Sequence, residues 1–392
     1  MLRQLSLAIT LTTALACATA ADSPSFSLAI QSGFPKWDRD HDGMLSLDEI
    51  EWSLASPEIK GSDAAALAAM YRATRVKNSP LTPPFSLATL EAATTAHAGG
   101  GKNTDDESTD ALNADLEGSY GRALDRIAKT PRTLFANNLP HLETFRQGKI
   151  GSCFCLAPLA ALIYRDPAEV AKRFTPDKAG FTVQLNDHRK VWVSPPTDGE
   201  IAISSTTGTD GFWSTVYEKA IGQMRIEDKG VAGPPLRAAT EGSAGKMIGV
   251  LTGREFKRFS CSPWRKADVT EEARAALLDQ LRALLREGTE QHQIMTVGTG
   301  TKGVKVPSLS FSHAYAVLGY DAKADCVIIR DPHNQNFTPK GEVGLKNGYV
   351  VEQGVFHVPV ADAVQIMGGF AFEQPAVAKS TTGPDTDNSI GM

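Results

Sequence analysis

The chain has 392 residues, enough for roughly two or three domains with cores of their own. Hydrophobic residues make up 42% and charged residues 22%, which excludes a fully disordered chain. Forty Lys plus Arg against forty-five Asp plus Glu leave a formal charge of -5, so neither a nucleic-acid nor a polybasic membrane partner is expected.

At the N-terminus, Arg3 precedes an apolar stretch from Leu5 to Cys17, and Ala18-Thr19-Ala20 offers a small-x-small cleavage site before Ala21. Residues 1–20 therefore read as an export signal, and the mature protein is expected to be secreted or periplasmic. No later apolar run reaches the ~18 residues of a membrane span, so the mature chain is expected to have none. Removing the signal leaves Cys153, Cys155, Cys261 and Cys326, too few for a disulfide scaffold.

Residues 21–98 read as mostly helical. Within them Asp38-Arg-Asp40-His-Asp42-Gly43-Met44-Leu-Ser46-Leu-Asp-Glu49 fits a calcium loop of the EF-hand type at every position. Asp38, Asp40 and Asp42 offer side-chain oxygens, Gly43 permits the sharp turn, and Met44 offers its carbonyl. Ser46 would hold a water, and Glu49 would close the shell with two oxygens. Such loops work in pairs, and a forty-residue offset finds the partner. Phe85-Ser86-Leu87 echoes Leu45-Ser46-Leu47, while Asn78, Pro80, Thr82 and Thr89 stand where the acids stood. The expectation is a pair with one working loop, for one calcium ion, and one degenerate loop.

The stretch 99–116 contains GGGKNTDDESTD, lacks apolar anchors and reads as a linker. Helical spacing resumes at Leu116, Tyr120, Leu124 and Ile127, and 117–373 is expected to form the main domain. Its pattern is α+β. Helices are predicted over Ser152–Tyr164, Phe212–Met224 and Glu271–Glu287. Strands are predicted over Phe181–Leu185, Val191–Val193, His292–Val297, His313–Asp321, Cys326–Arg330 and Val355–Val358. The polar tail 374–392 reads as disordered.

Three segments of the main domain carry chemistry. In Gln147-Gly148-Lys-Ile-Gly151-Ser152-Cys153-Phe154, Ser152 is placed to cap a helix whose first turn holds Cys153. Open backbone N–H groups and the helix dipole there favour a thiolate. Gln147 is placed to donate its amide to an oxygen developing charge nearby. His313 begins one strand and Asp331 ends the next, so a hairpin would bring a base beside its orienting group.

These segments resemble the catalytic core of the calpains, papain-like cysteine proteases. The family's Gln-Gly-x-x-Gly-Asp-Cys-Trp corresponds to Gln147–Phe154, and its Gly-His-Ala-Tyr-Ser-Val to Ser312–Val317. Trp213-Ser-Thr-Val-Tyr-Glu218-Lys219-Ala220 resembles a third family segment, and Leu251-Thr-Gly253 and Gly354-Val-Phe356 follow in order. The resemblance covers roughly 137–370. It implies a papain-like α+β fold and a cysteine endopeptidase acting on proteins or peptides, with Gln147, Cys153, His313 and Asp331 as its site. A propeptide or an autoinhibitory contact is a further candidate partner. The family has Asn-Pro-Trp where this chain has Asp331-Pro332-His333; Asn334 is the reserve orienting group, and losing the Trp is expected to leave the His–Asp contact wetter. A protease-derived binding protein without turnover is the alternative, and Cys–His–Asp also serves acyl transfer of the transglutaminase kind.

Overall fold

The computed structural model describes residues 25–76, 79, 81–96, 115–137, 139–177, 179–186, 188–300 and 304–375. The expected export signal, most of the linker and most of the tail lie outside these residues, as do Asn78 and Pro80. The described chain is a mixed α+β structure with three open antiparallel sheets. No helix among the described residues is long and apolar enough to cross a membrane.

The N-terminal part consists of two helix–loop–helix units. Helix α1 (Phe26–Trp37) starts at Ser25, whose hydroxyl accepts from the Leu28 N–H. It leads through strand β1 (Met44–Leu45) into α2 (Leu47–Leu54). Helix α3 (Gly61–Thr74) follows; six consecutive residues, Ala64–Ala69, pack in its buried run. Strand β2 (Phe85–Ser86) and α4 (Leu87–Ala96) complete the second unit. β1 and β2 pair antiparallel, Leu45 opposite Phe85, so the loops lie side by side at the positions the forty-residue offset aligns.

Helix α5 (Leu116–Lys129) follows the expected linker but packs on α3. Its Leu116, Tyr120, Ala123 and Ile127 join the N-terminal core, which also takes in Ile150, Ile203 and Leu236 of the main part. This cluster thus spans both parts.

In the main part, α6 (Cys153–Arg165) and α7 (Pro167–Ala171) precede a three-stranded sheet of β3 (Phe174–Asp177), β4 (Gly180–Asn186) and β5 (Arg189–Val193). Next come α8 (Asp198–Ile203), α9 (Trp213–Lys229), α10 (Pro235–Ala238) and α11 (Ala244–Thr252). Gly230 ends α9 in the left-handed region, at φ 63°. The remaining elements are β6 (Phe256–Ser260), α12 (Glu271–Glu290), β7 (Met295–Thr299), β8 (Ala314–Asp321), β9 (Cys326–Arg330), β10 (Val355–Pro359), α13 (Val360–Ile366) and β11 (Met367–Glu373). The six strands form one sheet in the order β10-β9-β8-β7-β11-β6.

One core joins α6 and α9 to the small sheet through fully buried Leu156, Trp213, Val216 and Ile221. Burial of each such side chain is worth about 1.5–3 kcal/mol. A second core lies between the six-stranded sheet, α12 and α13. Helix α6 packs directly against β8.

Candidate functional site

The loop entering α6 is fixed by backbone contacts on both sides. The Gln147 N–H donates to the Pro332 carbonyl at 2.7 Å, and the Lys149 N–H to the Ile203 carbonyl at 2.6 Å. Gly148 is required for close approach, because a Cβ there would sit 1.8 Å from the Ser204 carbonyl oxygen. Arg330, 1% exposed, donates one guanidinium nitrogen to the Leu142 and Phe145 carbonyls, at 2.6 and 2.7 Å. It thereby ties the approach to Gln147 to the end of β9.

Cys153 is the first residue of α6 and is half-buried. Ser152 occupies the cap position but does not cap the helix with its side chain, as the sequence reading had it. Its hydroxyl instead donates to Glu218 at 2.6 Å. Glu218 is fully buried on α9 and also accepts from the Ser205 N–H (2.6 Å) and hydroxyl (2.7 Å). The helix end is therefore held by a carboxylate from behind, leaving its foremost N–H groups open. Glu218 is the residue whose role the sequence reading missed; the signal was the Glu218-Lys219 pair, the only charged residues between Phe212 and Ile221.

Register brings the hairpin together as expected. Ala316 lies opposite Arg330, so His313 just before β8 neighbours Asp331 just after β9. His313 Nε2 lies 2.9 Å from Asp331 Oδ1, and both residues are buried. His313 also acts on the Cys153 thiol and lowers it, and Nδ1 is the ring nitrogen that Asp331 leaves free. His313 thus stands within interaction range of both Cys153 and Asp331. The Asn334 amide donates to the Glu143 carbonyl at 2.8 Å, so the hydrogen bond to His313 belongs to Asp331 and not to the reserve position.

His333 departs from expectation. Its ring stacks on His313, with centroids 4.6 Å apart and planes 15° from parallel, while Tyr315 meets the other side edge-on at 4.8 Å. The His333 N–H donates to Asp331 Oδ1 at 2.8 Å, and its Nδ1 lies 3.2 Å from the same oxygen. The His–Asp contact is therefore covered, with 7% and 6% of the two residues exposed, rather than wet.

Charges in this pocket are mutually arranged. Burial pushes the Cys153 thiol up, but the His313 hydrogen bond and charge, with backbone N–H groups of Ala314 and Phe154, bring it below the ordinary thiol value. Burial likewise lowers His313, and the hydrogen bonds to Asp331 and Cys153 override it, raising the imidazole to about 10. Asp331 lies well below the usual carboxylate range: burial opposes this, and His313 and His333 outweigh it. The arrangement favours a thiolate facing an imidazolium, oriented by a carboxylate.

The Gln147 side chain is buried, its Nε2 donating to the Ile150 carbonyl at 3.0 Å while Oε1 has no partner. Its second amide hydrogen remains available. The other cysteines are set apart. Cys155 is fully buried with its thiol on the Ser152 carbonyl, and burial raises it well above the ordinary value. Burial also raises Cys261, to about 12, and Cys326.

Among the described residues, two groups of side chains hold ligand atoms within 4.8 Å of one another and can chelate a metal ion: Asp38, Asp40 and Asp42, and His313, Asp331 and His333. In the first, Gly43 adopts φ +81° and its N–H donates to Asp38 Oδ2 at 3.0 Å. Asp38 Oδ1 is buried with no hydrogen-bond partner, an orphaned acceptor that a cation would satisfy. Glu49 accepts from the Arg39 N–H (2.7 Å) and from the Ser46 N–H and hydroxyl (2.9 and 2.8 Å), forming a capping box that anchors it at the loop's end. Met44 begins β1. No family model and no curated protein matches the chain.

Proposed function

We propose that the protein is an exported, calpain-like cysteine endopeptidase of papain-like fold, preceded by an EF-hand pair that holds one calcium ion. The observation that carries this reading is His313, set between the thiol of Cys153 at a helix N-terminus and the carboxylate of Asp331 at 2.9 Å. Acyl transfer through a cysteine needs that order of nucleophile, base and orienting group.

In the reaction, the Cys153 thiolate attacks the scissile carbonyl carbon, and the carbonyl electron pair moves to oxygen. The Cys153 N–H and the free hydrogen of Gln147 Nε2 stabilise that oxyanion; removing one such donor costs ~3 kcal/mol. Imidazolium at His313 gives its Nδ1 proton to the leaving amine as the C–N bond breaks. Neutral His313 then takes a proton from water, which attacks the acyl-enzyme and releases the carboxylic product and the thiol. Asp331 keeps the ring in the required tautomer throughout.

In the N-terminal loop, Asp38, Asp40, Asp42, the Met44 carbonyl, Ser46 through a water, and Glu49 would hold calcium. The orphaned Asp38 Oδ1 supports the fit. The ion would supply charge neutralisation that locks the loop between α1 and α2, outside the reaction itself. Substrates of this reading are proteins or peptides, met outside the cytoplasm.

Titration with a peptide epoxide tests the proposal. One equivalent should label the wild-type protein, none should label Cys153→Ala, and label and peptide hydrolysis should disappear together. Calcium-loaded protein that is freed of any propeptide, takes up no label and cleaves no unfolded substrate would leave the non-catalytic binding protein as the better reading.

A further inference from the structure

We propose that His333, with His313 and Asp331, forms a binding site for a zinc-class divalent ion whose occupancy reversibly shuts off the site. The shut-off rests on the peptidase reading; the metal site does not. His313 Nε2 and His333 Nδ1 lie 2.9 and 3.2 Å from one carboxylate oxygen, Asp331 Oδ1. The rings are stacked within 15° of parallel, so one ion cannot lie in both ring planes, and the His333 ring must turn to aim Nδ1 at an ion held by His313 Nε2 and Asp331. Ligands ~2.1 Å from a tetrahedral zinc stand ~3.4 Å apart, so these nitrogen–oxygen separations need open by only a few tenths of an ångström. The two nitrogens lie within 4.8 Å of each other, so bringing them to that spacing requires a shift of at most ~1.4 Å.

The donor set selects the ion. Two imidazoles and one carboxylate suit zinc and its borderline neighbours, whereas calcium takes six to eight oxygens. The His333 side chain is 28% exposed, giving an entry route and room for a water as fourth ligand. Cys153 is outside the ligand group. An ion on Nε2 takes the place of the proton shared with Asp331. His313 then holds only its Nδ1 proton, and a metal-bound neutral imidazole is too weak an acid to give that proton to the leaving amine. A chelator restores the proton and the activity, since no covalent bond is made.

Cobalt(II), added to the full chain in saturating calcium, reads the site through its visible d–d absorption. One equivalent is expected, with no thiolate-to-cobalt charge-transfer band, and the same spectrum in Cys153→Ala. His333→Phe keeps a ring on the stack but removes the ligand, and should weaken cobalt binding by about tenfold or more while its far-UV dichroism stays unchanged. Zinc should inhibit peptide cleavage by the wild-type protein, and more weakly by a similar factor in His333→Phe. Absence of the cobalt spectrum, undiminished binding in His333→Phe, or a thiolate band that disappears in Cys153→Ala would overturn the proposal. Cobalt binding in a protein that cleaves nothing would sink the peptidase reading and leave the metal site standing; cleavage without cobalt binding would do the reverse.

Discussion

Asp331→Asn separates the charge of the orienting group from its hydrogen bond. The substitution keeps an oxygen within reach of the His313 Nε2–H and removes only the negative charge. Raising His313 from 6.5 to about 10 corresponds to about 5 kcal/mol favouring imidazolium, an order-of-magnitude figure for a buried, coupled group. Burial acts against that shift, so Asp331 and the Cys153 thiolate together supply more than the net amount. With the charge gone, the alkaline limb of kcat/KM should fall from about 10 toward 6.5. The thiol should rise, because its lowered value depends on His313. The bell-shaped profile therefore narrows from both sides while its centre retains activity.

Stability follows the same groups. His313 is raised in the folded state, so its contribution is complete below 6.5 and lost as pH climbs through about 10. Asp331 is depressed, so its contribution is present above 3.8 and lost as pH falls below it. Urea unfolding of Asp331→Asn should show a shallower loss on both sides. The assays are peptide hydrolysis and thiol alkylation rates across pH, with denaturation midpoints beside them. An alkaline limb that stays where the wild type has it would refute the role assigned to Asp331. So would inactivity at every pH combined with inactivity of Asn334→Ala.

Glu218→Ala strands the Ser152 hydroxyl and the Ser205 N–H and hydroxyl in a buried site, and should cost ~3–5 kcal/mol in urea unfolding; a loss under about 1 kcal/mol would show that the network does not hold the helix end. Cys155→Ala should cost ~1 kcal/mol and leave epoxide labelling intact, because the thiol is fully buried and shifted away from thiolate; abolished labelling in a folded variant would move the nucleophile to Cys155. In the full chain, calcium at about a hundredfold excess over Kd should stabilise the wild type by ~2.7 kcal/mol and Glu49→Gln by much less. Equal stabilisation of both proteins in thermal melts would exclude this loop as the site.

The sequence patterns revealed the elements whose periodicity is local. Cys326–Arg330 is a strand over the expected residues, and α6 runs Cys153–Arg165 against a predicted Ser152–Tyr164. Strand β11, second from the edge of the large sheet, escapes because Gly368 and Gly369 remove the alternation from its first half. At β6 the outer strand carries Lys257 and Arg258 together, which hides a period of two. α5 shows its apolar stripe plainly, but a stripe does not say what covers it, and its partner is α3 rather than the main core. Ser152 illustrates the same limit in miniature. A serine before a helix reads as a cap, yet a buried carboxylate 66 residues further on outcompetes the backbone for its hydroxyl.

At the site itself, the nucleophile, base and orienting group were legible because each ends or begins an element, and antiparallel register does the rest. His333 was not, since a substituted position viewed alone looks like a loss. Asp331 and His333 are better understood as one unit. A carboxamide at position 331 would be a neutral acceptor, whereas a carboxylate that is 6% exposed must be compensated by more than one donor. His313 Nε2 provides one, and the His333 backbone N–H provides a second at 2.8 Å. The ring above them, with Nδ1 at 3.2 Å, adds a third polar contact while its face excludes water from His313. A Trp in that place could cover the pair but would bring no nitrogen able to accept a proton or a metal. A carboxylate at 331 therefore makes an imidazole at 333 physically fitting, and the two residues form one electrostatic arrangement.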